Sequence, residues 1–520
     1  MPTAKRKRTP RQDSASASSP SDTLAVLRNY LRAGYPGLYL VSPEEQRVEA
    51  ELKAVAVDLD YKLFVWSVAD GLVNVTSRTV HNATDPLEVL EAVAELPEKS
   101  LLLLKDFHLF LAEPNPFLIR KLKDTLLIAK TRQKPLVILG CRLCLPPELE
   151  RELTVIEHAL PDRDQLGTVL EGICNSAGQP PPEGEPRDQL VAAASGLTTM
   201  EAENAFALAV VERGQVNHEV VAREKAQAVK KNGLLEIVET RESLEDIGGL
   251  DVLKDWLLTR RHAFSREAAA YGLPAPKGLL IVGIPGTGKS LTAKATAKVF
   301  GVPLLKLDVG RIYGGLVGQS EANLRSVIQT AEAIAPCVLM LDEIEKAFAG
   351  SNGANSDGGT SARVFGSFLN WMQERTSSVF VVATANDVSR LPPEMLRKGR
   401  VDELFFVDLP NDEERRLVWD IQIRRFGRNP EDFDLRQLAR ITDGCTGAEI
   451  EQVFIEALYA AYADNREPTD LDIAAVLGDF VPLSRLMADP IKSLRQWANG
   501  RTRAATSTVQ SAGTIRKLAA

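Results

Sequence analysis

Gly278-Leu-Leu-Ile-Val-Gly-Ile-Pro-Gly-Thr-Gly-Lys-Ser290 is the stretch that decides the fold. Its first five residues form an apolar run typical of a buried strand. Gly283-Ile-Pro-Gly-Thr-Gly288-Lys289-Ser290 then completes a P-loop pattern, and an apolar-periodic segment follows it. Glycines in such a loop let the backbone curl until successive N–H groups point at phosphate oxygens, in a space that bulky side chains would fill. Lys289 places a positive charge on the β- and γ-phosphates, the Ser290 hydroxyl is a Mg²⁺ ligand, and the helix that begins here turns its positive end towards the anion. The expected nucleotide contacts are Gly283, Pro285, Gly286, Thr287, Gly288, Lys289, Ser290 and Leu291. A glycine-rich loop alone is a weak signal. With a strand before it, Lys-Ser at its end and a helix after it, the signal is specific.

Downstream, Cys337-Val-Leu-Met-Leu-Asp342-Glu343 is a buried strand ending in two carboxylates. Asp342 suits a role at Mg²⁺ and Glu343 suits polarisation of an attacking water. The next strand, Val379-Phe-Val-Val-Ala-Thr-Ala-Asn386, ends in an amide that can orient that water, although taken alone Asn386 reads as a turn residue. Leu391-Pro-Pro-Glu-Met-Leu-Arg397-Lys-Gly-Arg400-Val-Asp402 carries two arginines too far along the chain to reach their own P-loop easily. They can reach the γ-phosphate of a neighbouring subunit, where a guanidinium is worth on the order of 10³–10⁵ in rate. In isolation, surface ion pairing would be the plainer reading.

Asp246-Ile-Gly-Gly249, the P-loop, Gly318-Gln-Ser-Glu321-Ala-Asn-Leu-Arg325, Asp342-Glu343, Asn386, Leu396-Arg-Lys-Gly-Arg-Val-Asp402 and Gly444-Cys-Thr-Gly-Ala-Glu449 follow one another as in the AAA clade of AAA+ ATPases, which residues 241–480 resemble. The resemblance implies that Asp342 and Glu343 are the Walker B pair, Asn386 is sensor 1, and Arg397 and Arg400 are arginine fingers. It also implies that Ile247 and Gly248 line the adenine pocket and that Gly447 and Ala448 flank the nucleotide from a helical lid. The expected cofactors are ATP and Mg²⁺, and the expected assembly is a homo-oligomer, a hexameric ring, that remodels a protein client. An ATP-dependent switch or scaffold with slow turnover is the alternative. Over nearly its full length the chain also resembles the AAA proteins encoded by a hypothetical reading frame of plastid and cyanobacterial genomes, including Trp371-Met-Gln-Glu374, Phe405-Phe-Val-Asp-Leu-Pro410 and Ser493-Leu-Arg-Gln-Trp-Ala498. Protein-threading members of the clade carry a pore aromatic where this chain has Leu316, with Tyr313 nearby.

The first half holds a weaker copy of the pattern. Gly37-Leu-Tyr-Leu-Val41, Lys62-Leu-Phe-Val-Trp66, Leu101-Leu-Leu-Leu104 and Pro135-Leu-Val-Ile-Leu139 read as strands separated by helices, hence a parallel sheet. A P-loop would have to occupy Ser42-Pro-Glu-Glu-Gln46, but there is no Gly-Lys pair, and two carboxylates repel phosphate. Leu190-Val-Ala-Ala-Ala-Ser-Gly-Leu-Thr198-Thr-Met-Glu201 echoes Leu438-Ala-Arg-Ile-Thr-Asp-Gly-Cys-Thr446-Gly-Ala-Glu449, which points to an internal duplication with one decayed copy. The expected fold class is therefore α/β, a P-loop AAA+ module of parallel sheet and helical lid preceded by a degenerate AAA-like module. The expected division is a disordered basic arm (1–22), a degenerate α/β domain (23–160), a helical lid-like region (161–240), the ATPase α/β domain (241–410), its helical lid (411–482) and a basic tail (483–520). The loop Gly178-Gln-Pro-Pro-Pro-Glu-Gly-Glu-Pro186 is expected to break the first helical region.

Composition agrees with a globular chain of several domains: 520 residues, 44% hydrophobic, 25% charged, net charge −8. That charge gives no reason to expect bulk nucleic-acid binding, so the only basis for a nucleic-acid partner is the run Lys5-Arg-Lys-Arg8 and the basic residues after Pro490. No apolar run approaches the ~20 residues of a membrane span, and no signal core follows the N-terminal basic residues, so a cytoplasmic location is expected. The five cysteines, Cys141, Cys144, Cys174, Cys337 and Cys445, suit a reducing compartment. Cys141-x-x-Cys144 has no second pair and no histidine close by in sequence and reads as two semi-buried thiols. The five histidines show no ligand spacing.

Overall fold

The computed structural model describes residues 20–507 except 114, 232, 241, 313–318, 349–357 and 398. The basic arm up to residue 19, the pore position Leu316 with Tyr313, and the end of the basic tail lie outside the described residues. The chain divides into two compact units, Met1–Lys225 and Ala226–Ala520.

In the first unit the strands are β1 (Gly37–Val41), β2 (Lys62–Ser67), β3 (Gly71–Asn74), β4 (Val80–His81), β5 (Ser100–Lys105), β6 (Leu136–Gly140) and β7 (Thr154–Glu157). They form one sheet in the order β4-β3-β2-β5-β6-β1-β7, parallel except for β3 and β4. The run Leu101-Leu-Leu-Leu104 shows why the sheet is covered on both faces. Leu102 and Leu104 enter a core with Trp66, Phe107 and Leu122, whereas Leu101 and Leu103 enter another with Leu38, Leu40 and Leu52. Helices Arg163–Ser176, Glu185–Ala194 and Thr199–Arg213 follow, and the helix His218–Lys231 carries the chain across the division between the units. The second begins inside the segment expected to be all loop, because Pro186 sits in its first turn, where a missing N–H costs nothing.

In the second unit the strands are β8 (Leu235–Val238), β9 (Gly278–Gly283), β10 (Leu304–Leu307), β11 (Cys337–Leu341), β12 (Val379–Ala385), β13 (Glu403–Val407) and β14 (Arg503–Ala504). Their order is β14-β13-β9-β12-β11-β10-β8, with only β8 antiparallel. Every residue of β9, β11 and β12 is buried, as strongly apolar central strands require. A lid of helices Asp412–Arg425, Leu435–Ile441, Gly447–Ala463 and Asp470–Gly478 packs around Trp419 and Phe454.

Ranked by position in the chain, the parallel strands β7-β1-β6-β5-β2 and β13-β9-β12-β11-β10 have one and the same spatial order, 5-1-4-3-2. The echo between the helical regions is structural too. Thr198 with Glu201 and Thr446 with Glu449 both form capping boxes at the start of a helix.

Two stretches differ from the sequence reading. Residues 235–238, taken with the first helical region, form β8 and pair with β10 of the second sheet. Residues 483–507, taken as tail, are folded. Ile491, Leu494 and Ala498 put an apolar stripe on the helix Ala488–Ala498, β14 extends the sheet beside β13, and Thr506 Oγ1 donates to Glu414. The basic residues there find acids supplied from other parts of the chain: Arg495 pairs with Asp408 at 2.8 Å and Arg503 with Glu403 at 3.6 Å. Among the described residues no helix is long and apolar enough to cross a membrane.

Candidate active site

The site is assembled at the C-terminal ends of β9, β11 and β12. β9 runs into the loop 284–288, and the helix Lys289–Phe300 starts directly after it. Gly286 and Gly288 take φ of 77° and 88°, and a Cβ at Gly286 would lie 2.9 Å from Thr446 Oγ1 and 3.2 Å from Ala448 Cβ. The glycine is required both by its dihedral angle and by the close approach of the lid. Ala448 N donates to Gly286 O at 3.1 Å, so the lid position expected to flank the nucleotide is hydrogen-bonded to the P-loop.

Lys289 is buried, and its ammonium donates to Gly283 O at 3.0 Å and Ile284 O at 2.6 Å. Burial pulls its pKa down to about 8, against the opposing pull of Glu345, Asp342 and Glu343. Thr287 Oγ1 donates to Ile284 O at 2.7 Å and fixes the loop from within. Leu291, half-buried, packs against the core beneath the sheet.

The acid pair is held tightly. Ser290 Oγ donates to Asp342 Oδ1 at 2.8 Å, and Thr384 Oγ1 donates to the same oxygen at 2.6 Å. Thr384 Oγ1 also accepts from Glu343 N at 3.0 Å. Asn386 Nδ2 donates to Glu343 Oε1 at 3.0 Å, and Lys346 forms a close ion pair with Glu343 Oε2. Behind them, Glu345 is buried, accepts from Asn386 N at 3.0 Å, and is pushed to a higher pKa by burial. Of the residues named from sequence, Ser290 is therefore bonded to Asp342 and Asn386 to Glu343, and Thr384 links the two pairs. Thr384, Glu345 and Lys346 were not foreseen.

A second convergence lies beside the lid. Ile247 is buried, and a Cβ on Gly248 would meet Val418 Cγ2 at 2.6 Å, while one on Gly447 would meet Gly286 O at 3.6 Å and Val418 Cγ1 at 4.0 Å. Val418 thus stands between the two segments expected to flank the base, a role that no sequence signal carried. Next to it, Glu414 Oε1 accepts from Leu250 N at 3.1 Å and from Thr506 Oγ1 at 2.7 Å, which ties the segment 246–250 to the lid.

Arg397 and Arg400 behave differently from each other. Arg397 is 68% exposed and lies 3.9 Å from Glu394, whereas Arg400 is buried and donates to Glu394 O. Neither contacts the loop 283–291 among the described residues.

The donors suit Mg²⁺ and a triphosphate. A hydroxyl and a carboxylate oxygen meet at Ser290 and Asp342, both hard oxygen ligands. Among the described residues no group of three or more His, Cys, Asp and Glu side chains could cage a metal alone. Mg²⁺ takes one or two protein ligands and completes its shell with water and substrate phosphates, and the Ser290 and Asp342 oxygens fit that demand.

Comparison with known proteins gives the family. Residues 279–409 match the model described as ATPase family associated with various cellular activities (AAA), and 432–474 match the AAA+ lid domain. Residues 23–158 match the N-terminal domain, and 164–232 the second domain, of SpoVK-like AAA ATPases. The AAA domain-containing protein ycf46 of Guillardia theta is 40% identical over 484 residues, covering 92% of this chain and 95% of the relative. Its counterpart in Trieres chinensis is 39% identical over 497 residues, covering 94% and 98%. The ATPase family gene 2 protein of Schizosaccharomyces pombe is 34% identical over 235 residues, 44% of this chain and 28% of that protein. With Asp342 bonded to the loop serine and Glu343 to Asn386, and with relatives aligned over more than nine-tenths of both chains, this chain belongs to the ycf46 family of AAA ATPases.

Proposed function

We propose that the second unit binds Mg-ATP and hydrolyses it inside a homo-oligomeric ring that remodels a protein partner. The observation that carries this reading is the convergence of Ser290, Asp342, Thr384, Glu343 and Asn386 on one another at the mouth of the P-loop. Lys289 and the loop amides hold the β- and γ-phosphates, and Ser290 and Asp342 hold Mg²⁺. When bound, the metal neutralises charge and polarises phosphate oxygens. Glu343 accepts the proton of the attacking water, which Asn386 orients beside it. The lid, bonded to Gly286 through Ala448, moves with the nucleotide state. Arg397, exposed on its own subunit, is the guanidinium best placed to reach a neighbour's γ-phosphate. Arg400 joins it only after leaving its contact with Glu394 O.

The first unit retains the framework without the chemistry. Three residues, not five, separate β1 from the helix Glu45–Asp58, and Lys105, at the place of Asp342, pairs with Glu49 at 2.6 Å and Glu45 at 3.5 Å. The Glu44 carboxylate accepts from Thr199 N at 2.6 Å, occupying a helix N-terminus that in the second unit faces the P-loop. We assign no nucleotide to it.

The test is a mixing experiment. Lys289→Ala and Arg397→Ala chains, each inactive alone, should regain part of their ATPase activity when co-assembled, because some interfaces then combine an intact loop with an intact finger. Absence of any recovery in mixed oligomers contradicts the shared site. One observation favours the slow-switch alternative: both Glu343 oxygens are engaged, by Asn386 and Lys346, which suits low resting turnover. Stimulation of phosphate release by a bound protein partner supports the motor, and unchanged release supports the switch.

A further inference from the structure

In the first unit, the places of Glu343, Glu345 and Asn386 are filled by a different set of reactive groups. Asp106, after β5, has φ of 55°, the same turn that Glu343 makes after β11 at 51°. His108 lies two residues beyond Asp106, as Glu345 lies two beyond Glu343. Cys141 directly follows β6, as Asn386 directly follows β12. Where the second unit gathers carboxylates and an amide, the first brings together an imidazole, a thiol and a carboxylate.

His108 Nε2 is 3.7 Å from Cys141 Sγ, within hydrogen-bonding range for sulfur, and His108 Nδ1 is 3.8 Å from Asp106 Oδ1. The His108 side chain is 2% exposed, and its Nδ1 makes no hydrogen bond among the described residues. A buried imidazole atom without a partner is costly unless it serves a purpose. The ring has been given room to lie there. A Cβ on Gly140 would sit 2.7 Å from His108 Cγ and Nδ1, so only glycine at the end of β6 admits the ring beside the thiol. The nearby Asp106 carboxylate favours the ring proton on Nδ1, which leaves the Nε2 lone pair for the thiol proton. Burial lowers the pKa of His108, with Arg142 acting in the same direction and Asp106 against it, so the resting ring is neutral with an open lone pair, and Asp106 offsets part of the basicity that burial removes.

The loop after Cys141 is fixed. The buried Tyr39 hydroxyl donates to Arg142 O at 2.7 Å and accepts from Cys144 N at 3.0 Å, which fixes the main chain between the two cysteines of the Cys-x-x-Cys. Cys141 is exposed and Cys144 half-buried, whereas Cys174, Cys337 and Cys445 are buried. Burial pushes the Cys445 thiol up to about 11 and raises Cys174 as well, so neither is suited to react.

We propose that Cys141 is an imidazole-activated thiol that exchanges with low-molecular-weight disulfides, with Cys144 as its resolving partner. His108 takes the Cys141 proton as the sulfur attacks one sulfur of the small disulfide. The S–S bond breaks, the leaving thiolate takes up that proton, and a mixed disulfide remains on Cys141. The Cys144 sulfur then attacks the Cys141 sulfur, forming a Cys141–Cys144 bond; the S–S bond to the small molecule breaks, and the proton that Cys144 gives up goes to the departing sulfur, releasing the second small thiol. The protein loses two electrons and the small disulfide gains them. This site stands on the first unit alone and does not depend on whether the second unit hydrolyses ATP.

The test uses the full chain and glutathione disulfide. Alkylation of Cys141 by iodoacetamide at neutral pH, followed by peptide mass spectrometry, should be about fivefold or more faster in the folded chain than in the same chain unfolded in urea. His108→Gln should bring the folded rate down to the unfolded one. Glutathione disulfide should drive the wild type to a Cys141–Cys144 disulfide, and Cys144→Ser should stop at a glutathione adduct on Cys141. A folded rate at or below the unfolded rate overturns the activation, and it requires no variant. A glutathione adduct that persists in the wild type overturns the role of Cys144.

Discussion

Thr384 carries more of the site than its place in an apolar strand suggests. Its hydroxyl donates to Asp342 Oδ1 and accepts from Glu343 N, so one side chain sets the position of both acids. Thr384→Val keeps the shape and removes both bonds. With hydrogen bonds to charged groups worth roughly 1.5–3 kcal/mol, the melting temperature should fall, and kcat for phosphate release, measured well below it, should drop about 10- to 100-fold as both acids lose their placement. The acids themselves were legible because a strand ending in Asp-Glu is a local pattern. Thr384, Glu345 and Lys346 were not, since their contacts depend on the register of β11 against β12 and on the turn after Glu343.

Lys289 gives a second prediction at this scale. Its folded pKa, about 8, lies below the ordinary lysine value, so between pH 8 and about 10.4 the unfolded chain binds more protons than the folded one. The stability of the second unit should rise with pH across that window as the buried charge is lost. Triphosphate favours the charged ammonium, so above pH 8 binding takes up a proton, and affinity for Mg-ATP should weaken by up to about tenfold per pH unit. Calorimetric titration of a Glu343→Gln chain from pH 7 to 9.5 measures this. A flat affinity would contradict the assignment.

The lid helix shows at the scale of elements how the two units diverged. Thr446 and Thr198 cap equivalent helices with the same box, and Glu449 further accepts from Leu483 N at 2.6 Å. Replacing either threonine by alanine should cost about 1 kcal/mol of stability in thermal melts. Only Thr446→Ala should also weaken nucleotide binding, because Thr446 alone abuts Gly286 of a P-loop. The capping signature was readable in both sequences. The folded C-terminal segment was not. Arg495 and Arg503 look unpartnered in a stretch without acids, and their partners Asp408 and Glu403 lie far away in the chain. Apolar spacing at Ile491, Leu494 and Ala498 was the signal that could have revealed the helix.

At the scale of the whole molecule, the order of α/β block and helical block was visible twice in the sequence, and so was the loss of the Gly-Lys pair from the first copy. The common strand order 5-1-4-3-2 was not, because parallel pairing joins residues too distant for any local pattern to mark. The sequence also hid what replaced the lost site, since His108 and Cys141 meet only when β5 and β6 lie side by side.

The central claim is that this chain has one nucleotide site, built on Lys289, and the measurement that tests it most directly is the saturating stoichiometry of Mg-ATP. A Glu343→Gln chain should hold no more than one nucleotide per chain, and Lys289→Ala should abolish all of it. Nucleotide retained by the Lys289→Ala chain, or two bound per Glu343→Gln chain, would contradict the account.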